Sequence, residues 1–271
     1  MKELSPGMRV GAYVIVERIE SGRGRVVRAT GPEGKVALKI LGESERADPK
    51  RLGRFQREAN LMRDAAHPHI VPVLDVIEDE NGTSALVMPL LDGPTLLDVV
   101  HTRGALPATE LAVRLAPICE AVAHLHARGV LHRDVKPENI VFDTTRGPML
   151  IDLGIAWSEQ EENLTQSGSL LGTIAYMAPE LTRGAKYASA ASDVYALGAT
   201  LFHAAVGAPP FAVDARFIYK TLAAIVNAPV VVPAAVAATA LGPALEKSLA
   251  KDPADRPSAL ELAHALRKTA V

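Results

Sequence analysis

Cysteine is almost missing: Cys119 stands alone among 271 residues, and aromatic side chains make up only 4% of the chain, with a single tryptophan. A lone cysteine has no partner within the chain, so a disulfide scaffold is excluded. Its neighbours Leu115, Ile118 and Val122 mark it as a small buried apolar residue in a reducing compartment. Charge of one sign is missing too: 29 Lys and Arg against 31 Asp and Glu leave a net charge of -2. No surplus is available to drive non-specific binding to nucleic acid or to an anionic membrane. The segment Met1-Lys2-Glu3-Leu4-Ser5-Pro6-Gly7 lacks the apolar run of a signal peptide, so a cytoplasmic location is expected. Two stretches, residues 194–213 and 221–245, contain no Asp, Glu, Lys or Arg, yet neither reads as a membrane span. Asn227, Pro229, Pro233, Gly242 and Pro243 break the second, and Gly207-Ala208-Pro209-Pro210 ends the first after about four turns, which suits a buried core helix.

What is present is an ordinary globular composition, 48% hydrophobic and 22% charged, in a chain long enough to bury roughly 70–75% of its unfolded surface. Residues 13–18, 25–29, 36–40, 73–77 and 84–88 are short β-rich runs separated by turn formers, which predicts five antiparallel strands. Between them, Leu52, Phe55, Ala59 and Met62 recur with helical spacing over residues 49–65. Glu58 flanks that stripe instead of the wet face and needs a partner. After Leu91-Asp92-Gly93-Pro94 the periodicity turns helical: residues 96–101, then 109–128, with Leu111, Leu115, Ile118, Val122 and Leu125 on one stripe, Pro117 as an expected kink and Gly129 as the stop. A hairpin follows, residues 140–142 and 149–151, then an irregular stretch to residue 180, then helices. The expected architecture is α+β and bilobal: a small antiparallel β lobe with one helix over residues 1–88, a connector over 89–93 and a larger, mainly helical lobe over 94–271.

The chemistry-bearing residues cluster around the hairpin. His132-Arg133-Asp134-Val135-Lys136-Pro137-Glu138-Asn139 leads into it, and a hairpin brings its two ends together. Asn139 at the entry and Asp152 at the exit should therefore lie side by side, two oxygen-bearing groups suited to a hard cation such as Mg²⁺.

In these motifs and their order the chain resembles the protein kinase family, in particular the eukaryotic-like Ser/Thr kinases of bacteria. Val36-Ala37-Leu38-Lys39 is similar to the family's third-strand lysine motif, Glu58 to its helix C glutamate, His132 to Asn139 to its catalytic loop, Asp152-Leu153-Gly154 to its metal-binding turn and Ala178-Pro179-Glu180 to the end of an activation segment over residues 152–180. Asp193, Gly198 and Arg256 match its large-lobe markers, and Glu180 with Arg256 resembles its buried ion pair. The resemblance implies an ATP-dependent Ser/Thr protein kinase using Mg²⁺, with Mn²⁺ as an alternative ion, acting on protein substrates with Ser or Thr acceptors. It implies roles as well. Asp134 would orient the acceptor hydroxyl, Lys136 would offset charge on the transferred phosphate, and Thr173 would brace both. Lys39 would hold the ATP phosphates and pair with Glu58, while Asn139 and Asp152 would bind the metal. Ile19, Val26, Ala37, Met88 and Val141 would enclose the adenine, and the backbone of Pro89 and Leu91 would bind its edge.

Lys136-Pro137-Glu138-Asn139 and residues 172–180 resemble the Ser/Thr form of the family. Arg133 beside Asp134 resembles enzymes activated by phosphate in the activation segment, for which Thr165, Ser167 and Ser169 are the acceptor candidates, the alternative for each being a plain loop hydroxyl, and a homodimer for autophosphorylation in trans is compatible with this. Two departures stand out. The phosphate loop carries Gly22 and Gly24 with Glu20 where a third glycine is expected, and Leu153 replaces a phenylalanine. The first keeps a second reading open: a nucleotide-binding pseudokinase that acts as a regulatory or scaffold module.

Overall fold

The computed structural model describes residues 5–19, 26–32, 34–41, 49–80, 82–152 and 170–270, with residues 49–52, 54, 57, 58, 170 and 171 described by backbone alone. The chain divides into two compact units, Met1–Asp92 and Gly93–Val271.

The first unit is built on one antiparallel sheet. Its strands are β1 (Arg9–Val10), β2 (Tyr13–Arg18), β3 (Val26–Gly31), β4 (Gly34–Ile40), β5 (Asp75–Glu78) and β6 (Ser84–Pro89), in the order β1-β2-β3-β4-β6-β5. β1 adds a sixth strand to the five expected: two residues carry no readable alternation, and only pairing with Val14 and Tyr13 makes them a strand. β5 begins at Asp75 and not at residue 73. Pro72 has no N–H to offer a ladder, and the first bond to β6 in this stretch is Leu74 N–H to Val87 O, 2.8 Å.

Period-two alternation sorts the side chains onto two faces. Ile15, Val27, Ala29, Val36, Leu38, Ile40, Ala85 and Val87 pack into one buried layer with Val10. The opposite face of β4 carries Ala37 and Lys39; register places Met88 across from Ala37, and Val26 and Leu86 across from Lys39. Helix α1 (Pro49–Asp64) interrupts the strands where the stripe predicts, burying Phe55, Ala59 and Met62.

The second unit is mainly helical: α2 (Leu96–Arg103), α3 (Ala108–His126), the hairpin β7 (Ile140–Asp143) and β8 (Gly147–Leu150), α4 (Leu170–Ile174), α5 (Ala190–Val206), α6 (Ile218–Asn227), α7 (Ala234–Ala237), α8 (Gly242–Ser248) and α9 (Ala259–Thr269). α3 continues through Pro117. Its stripe Leu111, Leu115, Ile118, Val122 and Leu125 is fully buried, much of it against α9. Each such Leu would cost about 2–5 kcal/mol if cut to Ala. α5 occupies much of the charge-free run 194–213 and is buried nearly all round, as an apolar helix without a polar face must be. Gly198 lets it approach α8, since an added Cβ would run into the Ser248 side chain. Gly93 is required for a similar reason at the start of the unit: a Cβ there would meet the Phe142 carbonyl.

Candidate active site

In the first unit, Val26, Ala37, Lys39 and Met88 share the sheet face described above, and the Ile19 N–H donates to the Val26 carbonyl at 3.0 Å. Lys39 is half-buried there. Pro89 closes β6 opposite Val36, with Leu91 two residues on. Glu58 lies on α1, but its side chain is outside the described residues. So are Gly22 and Gly24, with Glu20 beside them, and Leu153, Thr165, Ser167 and Ser169 in the second unit.

In the second unit the loop from His132 to Asn139 gathers four candidates. Lys136 Nζ donates to both carboxylate oxygens of Asp134, at 2.9 and 2.7 Å, and to Thr173 Oγ1 at 3.1 Å. Thr173 Oγ1 in turn donates to Asp134 Oδ1 at 3.2 Å. Asn139 Nδ2 donates to the Asp134 main-chain carbonyl at 2.7 Å and to Oδ2 at 3.0 Å. One carboxylate thus receives donors from three residues, which fix its position. Lys136 is buried while the Asp134 side chain keeps 16% exposure, enough for another molecule to reach it. Next to Lys136, burial pushes the Glu138 carboxyl above the ordinary carboxylate range, against the pull of its own backbone N–H and of Lys136.

Hairpin geometry sets the other pair. Ile140 lies opposite Leu150, and the Ile151 N–H bonds the Asn139 carbonyl at 2.9 Å, so Asp152 is the next residue after the one paired with Asn139. Asp152 has φ 65°, the left-handed region that Asp enters more readily than most residues. Among the described residues no group of three or more His, Cys, Asp or Glu forms a cation cage. Two neighbouring oxygen donors fit an ion such as Mg²⁺, which keeps waters and takes phosphate oxygens for its remaining positions. Because Asn139 Nδ2 is bonded to Asp134, Oδ1 is the amide atom left to face a cation. Val141 continues from this pair along β7.

The loop itself is held from below by Asp193, a residue whose task the sequence did not reveal. Asp193 sits 2% exposed in the first turn of α5. Its carboxylate accepts the His132 and Arg133 backbone N–H groups at 2.8 Å each and lies 2.8 Å from His126 Nε2. Arg133 has φ 67°, a conformation costing on the order of 1–3 kcal/mol for such a residue, and the Asp193 bonds hold it there. The signal in sequence is weak, since an Asp in a first helical turn is ordinarily explained by the helix dipole. Burial lowers the His132 imidazole pKa at the start of the loop and, beyond the loop, raises that of Tyr176, whose hydroxyl lies 2.6 Å from His203 Nδ1.

Glu180 and Arg256 form a second buried charge site. Arg256 NH1 and NH2 each donate to one Glu180 oxygen at 2.8 Å, and Ser192 Oγ adds a bond of 2.7 Å. The remaining guanidinium donors reach the carbonyls of Ala250, Ala191 and Lys251 at 2.8–3.0 Å. Burial by itself would raise the Glu180 carboxyl; the Arg256 and Ser192 hydrogen bonds outweigh it and hold the group below its usual range.

A small antiparallel sheet unit, followed by a helical unit with a polar loop locked around one carboxylate, defines a class of protein, and known proteins share it. The sequence profile of the protein kinase domain matches residues 13–266. Serine/threonine-protein kinase PkaA of Streptomyces coelicolor is 38% identical over 244 residues, 88% of this chain and 44% of its own length. The DNA damage-responsive serine/threonine-protein kinase RqkA of Deinococcus radiodurans is 40% identical over 222 residues, 78% of this chain and 32% of its own length. The crystal structure of the PknI kinase domain of Mycobacterium tuberculosis superposes with a TM-score of 0.73 at 31% identity, covering 99% of both chains. The chain belongs to the protein kinase family and has its bilobal α+β fold. It spans less than half the length of these curated relatives. Membership implies use of ATP and a divalent metal, and protein substrates. Among the described residues no helix is long and apolar enough to cross a membrane.

Proposed function

We propose that this chain is a Ser/Thr protein kinase that transfers the γ-phosphate of ATP to protein hydroxyls and phosphorylates its own activation segment. The observation that carries the reading is the closed network around Asp134: a partly exposed carboxylate, held by Lys136, Asn139 and Thr173 in a loop pinned by Asp193. Phosphoryl transfer demands positioning and charge neutralisation more than covalent chemistry. In this reading Asp134 orients the acceptor hydroxyl and takes its proton, while Lys136 offsets charge on the migrating group and Thr173 keeps both in place. Asn139 and Asp152 hold Mg²⁺, and the metal supplies charge neutralisation on the phosphates when bound. Lys39, with Glu58, holds the phosphates, and Gly22 and Gly24 let the backbone approach them. Ile19, Val26, Ala37, Met88 and Val141 enclose the adenine, with Pro89 and Leu91 at its edge. The single buried cysteine supports a reducing compartment, the cytoplasm.

Intact mass after incubation with Mg²⁺ and ATP tests this, wild type beside Asp134→Asn, with phosphate mapped by peptide mass. Mass added in phosphate steps to the wild type alone, at Thr165, Ser167 or Ser169, is the expected result. No added mass, with a generic Ser/Thr substrate also untouched, would overturn it in favour of the pseudokinase.

A further inference from the structure

α6 has an outer face that solvent alone does not explain. Its inward positions Ile218, Leu222 and Ile225 pack on a small core with Ile174, Met177, Leu181, Phe211 and Val213. Outward, Tyr219 is 64% and Val226 43% exposed, and Phe217 just before the helix is 40% exposed. A solvated helix ordinarily presents several charges there; this one presents Lys220. The cations of the region lie over aromatic rings. Lys220 Nζ sits 4.4 Å and the Arg216 guanidinium 5.7 Å from the Phe217 centroid, and Tyr219 meets Phe217 edge-on at 6.3 Å. Beside α6, the turn Pro179–Arg183 leads to a second stack, with Arg183 4.5 Å and Lys186 5.3 Å from the Tyr187 centroid. Carboxylates are scarce: residues 181–232 contain only Asp193 and Asp214. Asp193 is buried under the catalytic loop, and Asp214 is bound by Arg216 through Nε at 3.0 Å and NH2 at 2.8 Å. Among the described residues, no ion pair occupies Lys220, Lys186 or Arg183.

We propose that this aromatic and cationic face of α6 and the Arg183–Tyr187 turn is a docking surface for an acidic segment, containing apolar residues, of a protein substrate. The proposal rests on the kinase reading and names part of its substrate class. Charge complementarity selects the occupant: cations already held against rings lose little freedom on meeting carboxylates, and the exposed Tyr219 and Val226 offer apolar contact between them. A second copy of this chain is disfavoured, because a two-fold interface places a patch against itself and would set these cations against one another. Position links the surface to the chemistry. α6 is mounted on Ile174 and Met177, and Ile174 directly follows Thr173, which bonds Asp134 and Lys136. A segment bound there is held on the same packed unit as the acceptor site, which raises its local concentration.

The test compares two peptides with one Thr acceptor in a neutral context, one of them extended through a Gly-Ser spacer by a run of glutamates interrupted by leucines. Wild type should show a KM at least about tenfold lower for the extended peptide at equal kcat, and the advantage should shrink with added salt. The double variant Lys186→Glu with Lys220→Glu should lose that advantage and keep the kinetics of the short peptide, which also controls for folding. Equal KM for both peptides in wild type, or an unchanged preference in the variant, overturns the proposal. Should wild type phosphorylate neither peptide, the kinase reading fails by itself, and fluorescence anisotropy with the labelled extended peptide decides the docking surface. Binding that the double variant abolishes upholds it, and absence of binding refutes it. Dimerisation in sedimentation velocity that Lys220→Glu reverses, without peptide binding, also refutes it.

Discussion

Two buried charge sites in the helical unit use the same chemistry to opposite ends. At Glu180 and Arg256 the cation is closed in: two of its donors and the Ser192 hydroxyl hold a carboxylate that keeps 12% exposure, three main-chain carbonyls take the remaining guanidinium donors, and the Arg256 side chain has no exposure. At Asp134 three side chains instead of two hold a carboxylate of similar exposure, 16%, and its cation is a lysine two residues along the chain. A guanidinium whose donors all end on fixed protein acceptors serves the fold, and its loss leaves an uncompensated charge beside the core. With carboxylate exposures of 16% and 12%, burial of charge is no guide to catalytic purpose; the partners that take up the donors are.

Substitutions can pull the two sites apart. Asp134→Asn should lower the phosphorylation rate by about 10²–10⁴-fold while thermal unfolding stays close to wild type; a variant of normal activity would remove Asp134 from the chemistry. Arg256→Ala should do the reverse, costing about 3–5 kcal/mol in urea unfolding with the rate per folded molecule little changed below the unfolding transition. Asp193→Asn should fall between, because its carboxylate serves the fold through His126 and the loop through the His132 and Arg133 N–H groups. A loss of about 1–3 kcal/mol in stability together with a lower kcat is expected, and a change in only one of the two would show that the tasks separate. pH gives the smallest effect. The Glu180 carboxyl is held below its ordinary 4.5 when folded, so its contribution is complete above that value and declines as pH falls through the lower, folded-state value. Urea midpoints measured downward from pH 5 should drop less in Glu180→Gln than in wild type.

Much of this could be read before any coordinates. Alternation and helical spacing located the sheet strands and the α3 stripe because burial on one face writes a period into the sequence. Asp134, Lys136 and Asn139 were legible for another reason: they lie within six residues, so the loop that joins them is local. Legibility faded where partners are distant. Asp193 is 60 residues from Arg133, and nothing near either one announces the other. Two residues carry no period, so β1 is invisible in the sequence, and the apolar run starts ahead of β5 because Val73 is buried without belonging to the ladder.

The sequence by itself determined the residue types that chemistry needs, their order, the two-part organisation and the apolar stripes, all of which are local or periodic. Tertiary structure alone decided that three donors converge on Asp134, that Asp193 supports the left-handed Arg133, that Arg256 satisfies all its donors, and that an apolar helix keeps Tyr219 and Val226 in water. Each depends on where the chain returns in space. A hydrogen bond is settled within about 3 Å, while the residues that make it can lie anywhere along the chain.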